Sequence, residues 1–175
     1  MTRTSILLRL AFLLLLGCVL LLGFFVVFIR PADNLNSVFE NSQSVDVARN
    51  ATSVKAFRLP SPSYFQSLSD YEMASGPFDI PEPTTAKLRT VLLDPSAYVG
   101  PDGPKKGCYP DFGVRIQFEE EKDAVDVLIC FQCDILAVYH NGNLAGGGDF
   151  APGRSKLLAV VKELFPDDDA IRSLR

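Results

Sequence analysis

The sequence lacks tryptophan and has a single histidine, His140, so few of its side chains suit acid–base catalysis. It also lacks both common glycine-rich phosphate loops, the HExxH motif and a serine–histidine–aspartate pattern. The glycine run 146–148 is not followed by lysine, and it predicts a flexible turn or a strand edge. We therefore predict no catalytic and no cofactor-binding residue.

Positive charge is scarce as well. The chain has 17 basic and 21 acidic residues, and Arg3, Arg9 and Arg30 are the only charged side chains of residues 1–30. The remaining chain thus carries 21 acids against 14 bases, which excludes a nucleic-acid partner because like charges repel. The acidic runs 119–121 and 167–169 are interpreted as solvated charge at a hairpin tip and at a helix start.

One stretch, residues 10–29, has no charged side chain. Twenty helical residues match the roughly 30 Å hydrocarbon layer of a bilayer, and no small-x-small cleavage site follows Ile29. The sequence predicts a transmembrane anchor over 1–30, with 6–29 in contact with the membrane. Cys18 follows a lipoprotein-like Leu-Leu-Gly, so cleavage and lipidation at this cysteine are the alternative.

The charges flanking this stretch predict its orientation. The terminal amine, Arg3 and Arg9 precede it, whereas Arg30 alone follows closely. The positive-inside rule then leaves the N-terminus in the cytoplasm and the C-terminal part outside it. The expected location is the cell membrane, crossed once.

The rest of the chain divides by composition. Residues 31–53 are rich in Asn, Ser, Asp and Ala without helical or strand periodicity, which predicts a flexible polar linker. Residues 54–175 are expected to form one extracytoplasmic domain, since they are too few for two ordinary domains.

Two amphipathic helices are predicted, over 84–93 and 153–165. Pro95 and Pro166 end them, and Asp167 is expected to cap a last short helix. Apolar residues recur at helical spacing: Leu88, Val91, Leu92, Leu157, Leu158, Val161, Leu164 and Phe165.

Strict alternation of apolar side chains predicts a β-hairpin within 112–131. Placing Glu119 opposite Ala124, with 120–123 as a loop, makes every cross-strand pair on one face apolar. Asp126 then belongs to the other face, where its replacement should be mild. The predicted pairs are Phe112/Phe131, Val114/Ile129, Ile116/Val127 and Phe118/Val125.

The odd-numbered apolar series continues through Ile135 and Tyr139 to Asn141-Gly142, a strong hairpin signal. One strand of that length is unusual, so a bend or bulge is expected near 130–133, and a further strand after Asn143. The predicted fold class is α+β, a small antiparallel sheet packed by two or three helices and preceded by one N-terminal transmembrane helix.

Three cysteines are the candidate site. Counting across the hairpin places Cys130 opposite Gly113 and Cys133 opposite Pro110, so Cys108 should lie near both. Four interpretations stay open: a disulfide from Cys108 to Cys133 or Cys130, a zinc site with His140 or water as fourth ligand, a redox-active CxxC, and free buried thiols. An oxidising compartment favours the disulfide.

Several short motifs in 84–175 resemble an uncharacterised group of small bacterial proteins that are often secreted or membrane-anchored. The resemblance implies a bacterial source and a compact domain, and it assigns no activity. The motifs are Leu93-Asp94-Pro95-Ser96-x-Tyr98, Cys108, Cys130-Phe131-x-Cys133-Asp134, Phe150-x-Pro152-x-Arg154 and Phe165-Pro166-x-Asp168.

The sequence thus favours a non-enzymatic, membrane-anchored extracytoplasmic domain that binds or scaffolds a protein or small molecule. The alternative from another class is a thiol redox or metal-binding protein that uses Cys108, Cys130 and Cys133.

Overall fold

The computed structural model describes residues 35–60, 68–71, 73–104 and 106–175. Its strands are β1 Ser53–Arg58, β2 Ser75–Asp79, β3 Val114–Glu120, β4 Asp123–Cys130, β5 Ile135–His140 and β6 Asn143–Asp149. These strands form a six-stranded antiparallel sheet in the spatial order β2-β1-β3-β4-β5-β6. Its helices are α1 Ser42–Asn50, α2 Glu82–Leu92, α3 Arg154–Leu164 and α4 Asp169–Ser173.

The predicted α+β class is confirmed by this arrangement of sheet and helices. The predicted anchor, 1–30, lies outside the described residues. Within the described ranges, no helix is both long enough and apolar enough to cross a membrane.

The β3–β4 hairpin confirms the predicted register. Glu119 pairs with Ala124, and the apolar pairs Phe118/Val125, Ile116/Val127 and Val114/Ile129 lie on the core face. The loop is shorter than predicted because Glu120 also pairs with Asp123. Glu121 adopts a positive φ of 52° in the resulting two-residue turn. The predicted pair Phe112/Phe131 is wrong: both residues lie beyond the paired positions, and Phe131 packs in the main core whereas Phe112 packs in a separate cluster.

The expected bend near 130–133 is a complete chain reversal. Cys130 pairs with Ile135, so residues 131–134 form a turn between two strands. Each odd-numbered residue of β4 pairs with an even-numbered residue of β5. Paired side chains point to the same face of a sheet, so the odd-numbered side chains of β4 share a face with the even-numbered side chains of β5. The predicted continuity of the odd series is therefore wrong. Leu136 and Val138 join the main core, whereas Ile135, Ala137 and Tyr139 pack on the other face.

The hairpin predicted at Asn141-Gly142 is confirmed, and β6 follows it along β5. Asn141 and Gly142 have φ values of 49° and 79°, the left-handed conformation that this turn requires. The glycine run 146–148 lies in β6, at one edge of the sheet.

The predicted linker over 31–53 is wrong for its described part. Residues 35–39 are helical, with Val38 and Phe39 fully buried, and α1 packs on β3 and β4. Asn41 caps α1 by accepting a hydrogen bond from the Ser44 amide at 2.8 Å. This segment is polar in composition but amphipathic, and it buries one face. It belongs to the same compact unit as the sheet, Asn34–Arg175.

The helices cover one face of the sheet and form the main core with it. The opposite face holds a second cluster, which we call the disulfide-side cluster: Leu59, Leu68, Tyr71, Phe112, Leu128, Cys130, Cys133 and Tyr139. Asp126 lies on this second face, as predicted, but it is buried, 1% exposed, so the reason for expecting a mild effect of its replacement does not hold. The cap of α4 is Asp168, which accepts from the Ile171 amide, and not Asp167.

Candidate functional site

Cys108 and Cys133 form a disulfide, with Cα atoms 6.1 Å apart and a sequence separation of 25. Cys133 lies in the turn after β4, and Cys108 lies in the loop before β3. Cys130 remains a free thiol, fully buried at the end of β4. Cys130 and Cys133 belong to the disulfide-side cluster and Cys108 packs against it, and the bond joins Cys133 of the CxxC pair to Cys108 and not to Cys130.

The zinc candidates do not come together. His140 lies at the other end of β5 from the turn that carries Cys133. In the part of the chain that the structure describes, no group of three or more His, Cys, Asp or Glu side chains is placed to hold a metal. His140, which was predicted together with water as a possible fourth ligand of a Cys108, Cys130, Cys133 site, is therefore remote from Cys133.

His140 instead forms a hydrogen bond with a serine that no sequence motif singles out. Its Nδ1 lies 2.9 Å from the Ser44 hydroxyl, which also lies 3.1 Å from the Asn41 side-chain oxygen. Ser44 is fully buried, so no substrate can reach its hydroxyl. This contact links α1 to β5 across 96 residues and is structural.

A cleft of about 480 Å³ opens where β5 and β6 meet the loop 99–106. The polar side chains of its lining are Ser37, Lys106 and Asp149, and Gly147 and Gly148 of β6 also line it. An apolar wall faces them, formed by Val38, Val99, Pro101, Pro104, Ile135 and Leu136. Apolar lining with a few convergent polar groups is typical of a binding site.

The two charges of the cleft neutralise one another. Lys106 Nζ lies 2.9 Å from Asp149 Oδ1, 2.7 Å from the Cys133 carbonyl oxygen and 3.7 Å from Asp134 Oδ2. Arg154 binds the other side of the same turn, through Asp134 and the Phe131 carbonyl. The turn that carries the disulfide is thus fixed by two cations.

Close packing of Val38 requires glycine at positions 146 and 148, and a Cβ at Gly147 would lie 2.6 Å from the Leu136 carbonyl oxygen. A Cβ at Gly148 would lie 2.7 Å from Val38 Cγ2, and one at Gly146 would overlap the Val38 carbonyl oxygen. Residues 35–39 therefore lie directly against β6. A strand edge was one of the two predictions for these glycines, but a contact with Val38 was not predictable once residues 31–53 were interpreted as a linker.

The hydrogen-bond pattern of β6 exposes part of its backbone at the edge. Phe150 donates to the Asp134 carbonyl at 2.8 Å, which makes Ile135/Asp149 a non-hydrogen-bonded pair. Alternation along the strand gives Ala137/Gly147 the same character, so the N–H and C=O of Gly147 point away from β5. The Asp149 carbonyl, directed the same way, accepts a hydrogen bond from the Val99 amide at 2.9 Å.

Comparison of the chain with protein-family models, with curated proteins and with solved structures finds no match.

Proposed function

We propose that this protein is a membrane-anchored extracytoplasmic domain that binds a partner in the cleft beside β6 and does not catalyse a reaction. The cleft carries the proposal, because it combines an apolar wall with an internally neutralised ion pair and accessible strand backbone. Ser44, the serine bonded to His140, is fully buried and offers no nucleophile.

The disulfide and the uncharged stretch support the proposed location. A bond between Cys108 and Cys133 is stable in an oxidising compartment, whereas the cytosol keeps thiols reduced. Residues 10–29 have the length and composition of a membrane span, and Arg3 and Arg9 favour a cytoplasmic N-terminus.

A topology experiment tests this location. A reporter that is active only outside the cytoplasm, fused after Arg175 of the full chain, should be active, and a reporter active only in the cytoplasm should not. The matched control replaces Arg3 and Arg9 with glutamate, which should reduce the correctly oriented fraction. Cytoplasmic activity of the unmodified fusion would contradict the proposal.

Binding in the cleft is tested separately. A library of small neutral fragments should include members that slow amide hydrogen exchange at Val99 and Leu136 of the full chain in lipid nanodiscs. Val99→Phe, which fills the cleft, should abolish that protection. Fragments that bind only elsewhere, or none that bind, would contradict a binding site here.

The second candidate is a thiol protein, favoured by one observation: the buried thiol of Cys130 belongs to the same cluster as the Cys108–Cys133 disulfide. A zinc-loaded form would instead require a reduced protein in which these three sulfurs converge. Thiol titration and metal analysis of protein purified from its membrane distinguish the two, since a disulfide-bonded domain retains no zinc through dialysis.

A further inference from the structure

The geometry points to β6 as the docking edge for a neutral, extended peptide, which adds as a seventh strand and places an apolar side chain in the cleft. This inference rests on the proposed binding function and specifies its ligand. Three features of the molecule support this docking edge: the difference between the two edge strands, the direction of the free backbone groups of β6, and the charges of the cleft.

The two edge strands differ in their protection. β2 contains Pro77, which has no N–H to donate, whereas β6 has neither proline nor a charged side chain from Leu144 to Gly148. Each edge pairing shifts register once, β1–β2 between Ala56 and Arg58 and β5–β6 between Val138 and Tyr139. Proline and charge are the usual means by which proteins block an edge strand, so β6 is the less protected edge in the described part of the sheet.

The backbone of β6 already accepts an addition at one end. The Val99 amide donates to the Asp149 carbonyl, so the loop occupies the edge position beside the end of the strand. The N–H and C=O of Gly147 point in the same direction, and Gly147 lines the cleft. A peptide bonded to Gly147 and running towards Asn143 would extend this arrangement as an added strand that follows the register shift of β6 between Gly146 and Leu144.

The surfaces beside this path suit an apolar chain. Leu144 is 64% exposed and lies on the route of the added strand, and the cleft wall is aliphatic. Among the described residues that line the cleft, Lys106 and Asp149 are paired with each other, so neither presents an uncompensated charge to an ionic ligand. These features favour a peptide with alternating apolar residues over an anion or a basic segment.

The experiment uses the full chain in nanodiscs and short synthetic peptides with blocked ends that alternate threonine with valine or phenylalanine. Binding should be measurable by fluorescence anisotropy and should slow amide exchange at Gly147. The matched control peptides carry N-methyl groups on alternate amides, which removes the strand hydrogen bonds while keeping the side chains. They should bind at least about tenfold more weakly, which corresponds to about 1.4 kcal/mol.

A protein variant tests the same edge. Leu144→Lys should weaken peptide binding by about tenfold as well, because a lysine on an edge strand opposes pairing. Met73→Lys introduces the same charge at a side chain that is 53% exposed and lies just before β2, the strand at the opposite edge of the sheet, and it should leave binding unchanged.

Three results would overturn the inference. Equal binding of methylated and unmethylated peptides would mean that side chains alone are recognised. Dimers that Leu144→Lys dissociates, with no peptide bound, would mean that β6 pairs with a second copy. Absence of both would leave the edge unused. If neutral fragments still protected Val99 in that last case, the proposed cleft would stand and only the peptide would be rejected.

Discussion

Arg115 and Asp126 form an ion pair of 2.8 Å on the sheet face opposite the helices, with their side chains 15% and 2% exposed. The Arg115 guanidinium also lies 4.6 Å from the centre of the Phe57 ring. These contacts bury a polar pair between strands, where sequence alternation alone suggested exposure.

Asp126→Ala should therefore be strongly destabilising. This substitution leaves the largely buried Arg115 guanidinium without its partner, and we expect it to lower the free energy of unfolding by about 3 kcal/mol. Urea denaturation of the oxidised protein measures this. The double variant Arg115→Leu/Asp126→Leu should recover most of the loss, since two apolar side chains leave no unpaired charge. A loss below about 0.5 kcal/mol would mean that Asp126 behaves as a surface residue.

The stability of the protein should also depend on the ionisation of Asp126. Burial raises the pKa of this carboxyl above its usual value of 3.8, although the Arg115 charge opposes the shift. The folded state then holds this proton more tightly than the unfolded state does, so the contribution of Asp126 to stability falls as pH rises from the unfolded pKa to the folded pKa.

Asp126→Asn lacks this titration and supplies the comparison. The difference in unfolding free energy between the natural protein and this variant should shift in favour of the variant as pH rises above 3.8, and then become constant. A difference that shifts in the opposite direction would show that Arg115 outweighs burial.

Gly146→Ala should displace residues 35–39 from β6, because the added methyl group would overlap the Val38 carbonyl. We expect a loss of about 1 to 3 kcal/mol in unfolding free energy. Gly107→Ala is the matched control, since nothing lies within 4 Å of a Cβ at that position. Equal stability of the two variants would contradict the described contact between Val38 and β6.

Thiol titration of the denatured, oxidised protein should find Cys130 free and Cys108 and Cys133 protected, and Cys130 should be unreactive before denaturation because it is fully buried. Cys130→Ser should then remove the free thiol of the region 34–175. Reduction should cost about 3 kcal/mol by releasing the chain between the bonded cysteines, and lower the melting temperature by several degrees. Free thiol at Cys108 in the oxidised protein would reject the bond.

The β3–β4 register could be derived from sequence because Phe118, Ile116 and Val114 leave one arrangement in which every facing pair is apolar. The reversal after Cys130 could not, because the same alternation fits a strand that bends and a strand that turns back. Asp134 adopts a φ of 55° in this turn. A single aspartate in a sequence does not by itself predict a turn, so the reversal could not be derived from it.

The candidate site was only partly predictable. Cys108 and Cys133 could be placed near each other by counting residues across the hairpin. The cleft could not be found, since its wall combines Val38, Pro101 and Leu136 from separate segments. Val38 in particular belongs to a segment whose polar composition hides its buried face.

The position of β1 governs the order in which the sheet can assemble. Strands β3 to β6 each pair with the next strand in sequence. The pairing of β1 with β3 instead joins residues that are distant in sequence, such as Lys55 and Glu119, which are 64 residues apart. Closing that long loop is slow compared with closing a hairpin. The meander of β3 to β6 should thus acquire protection from hydrogen exchange first, and β1, with α1 and β2 attached, should dock last onto its exposed margin.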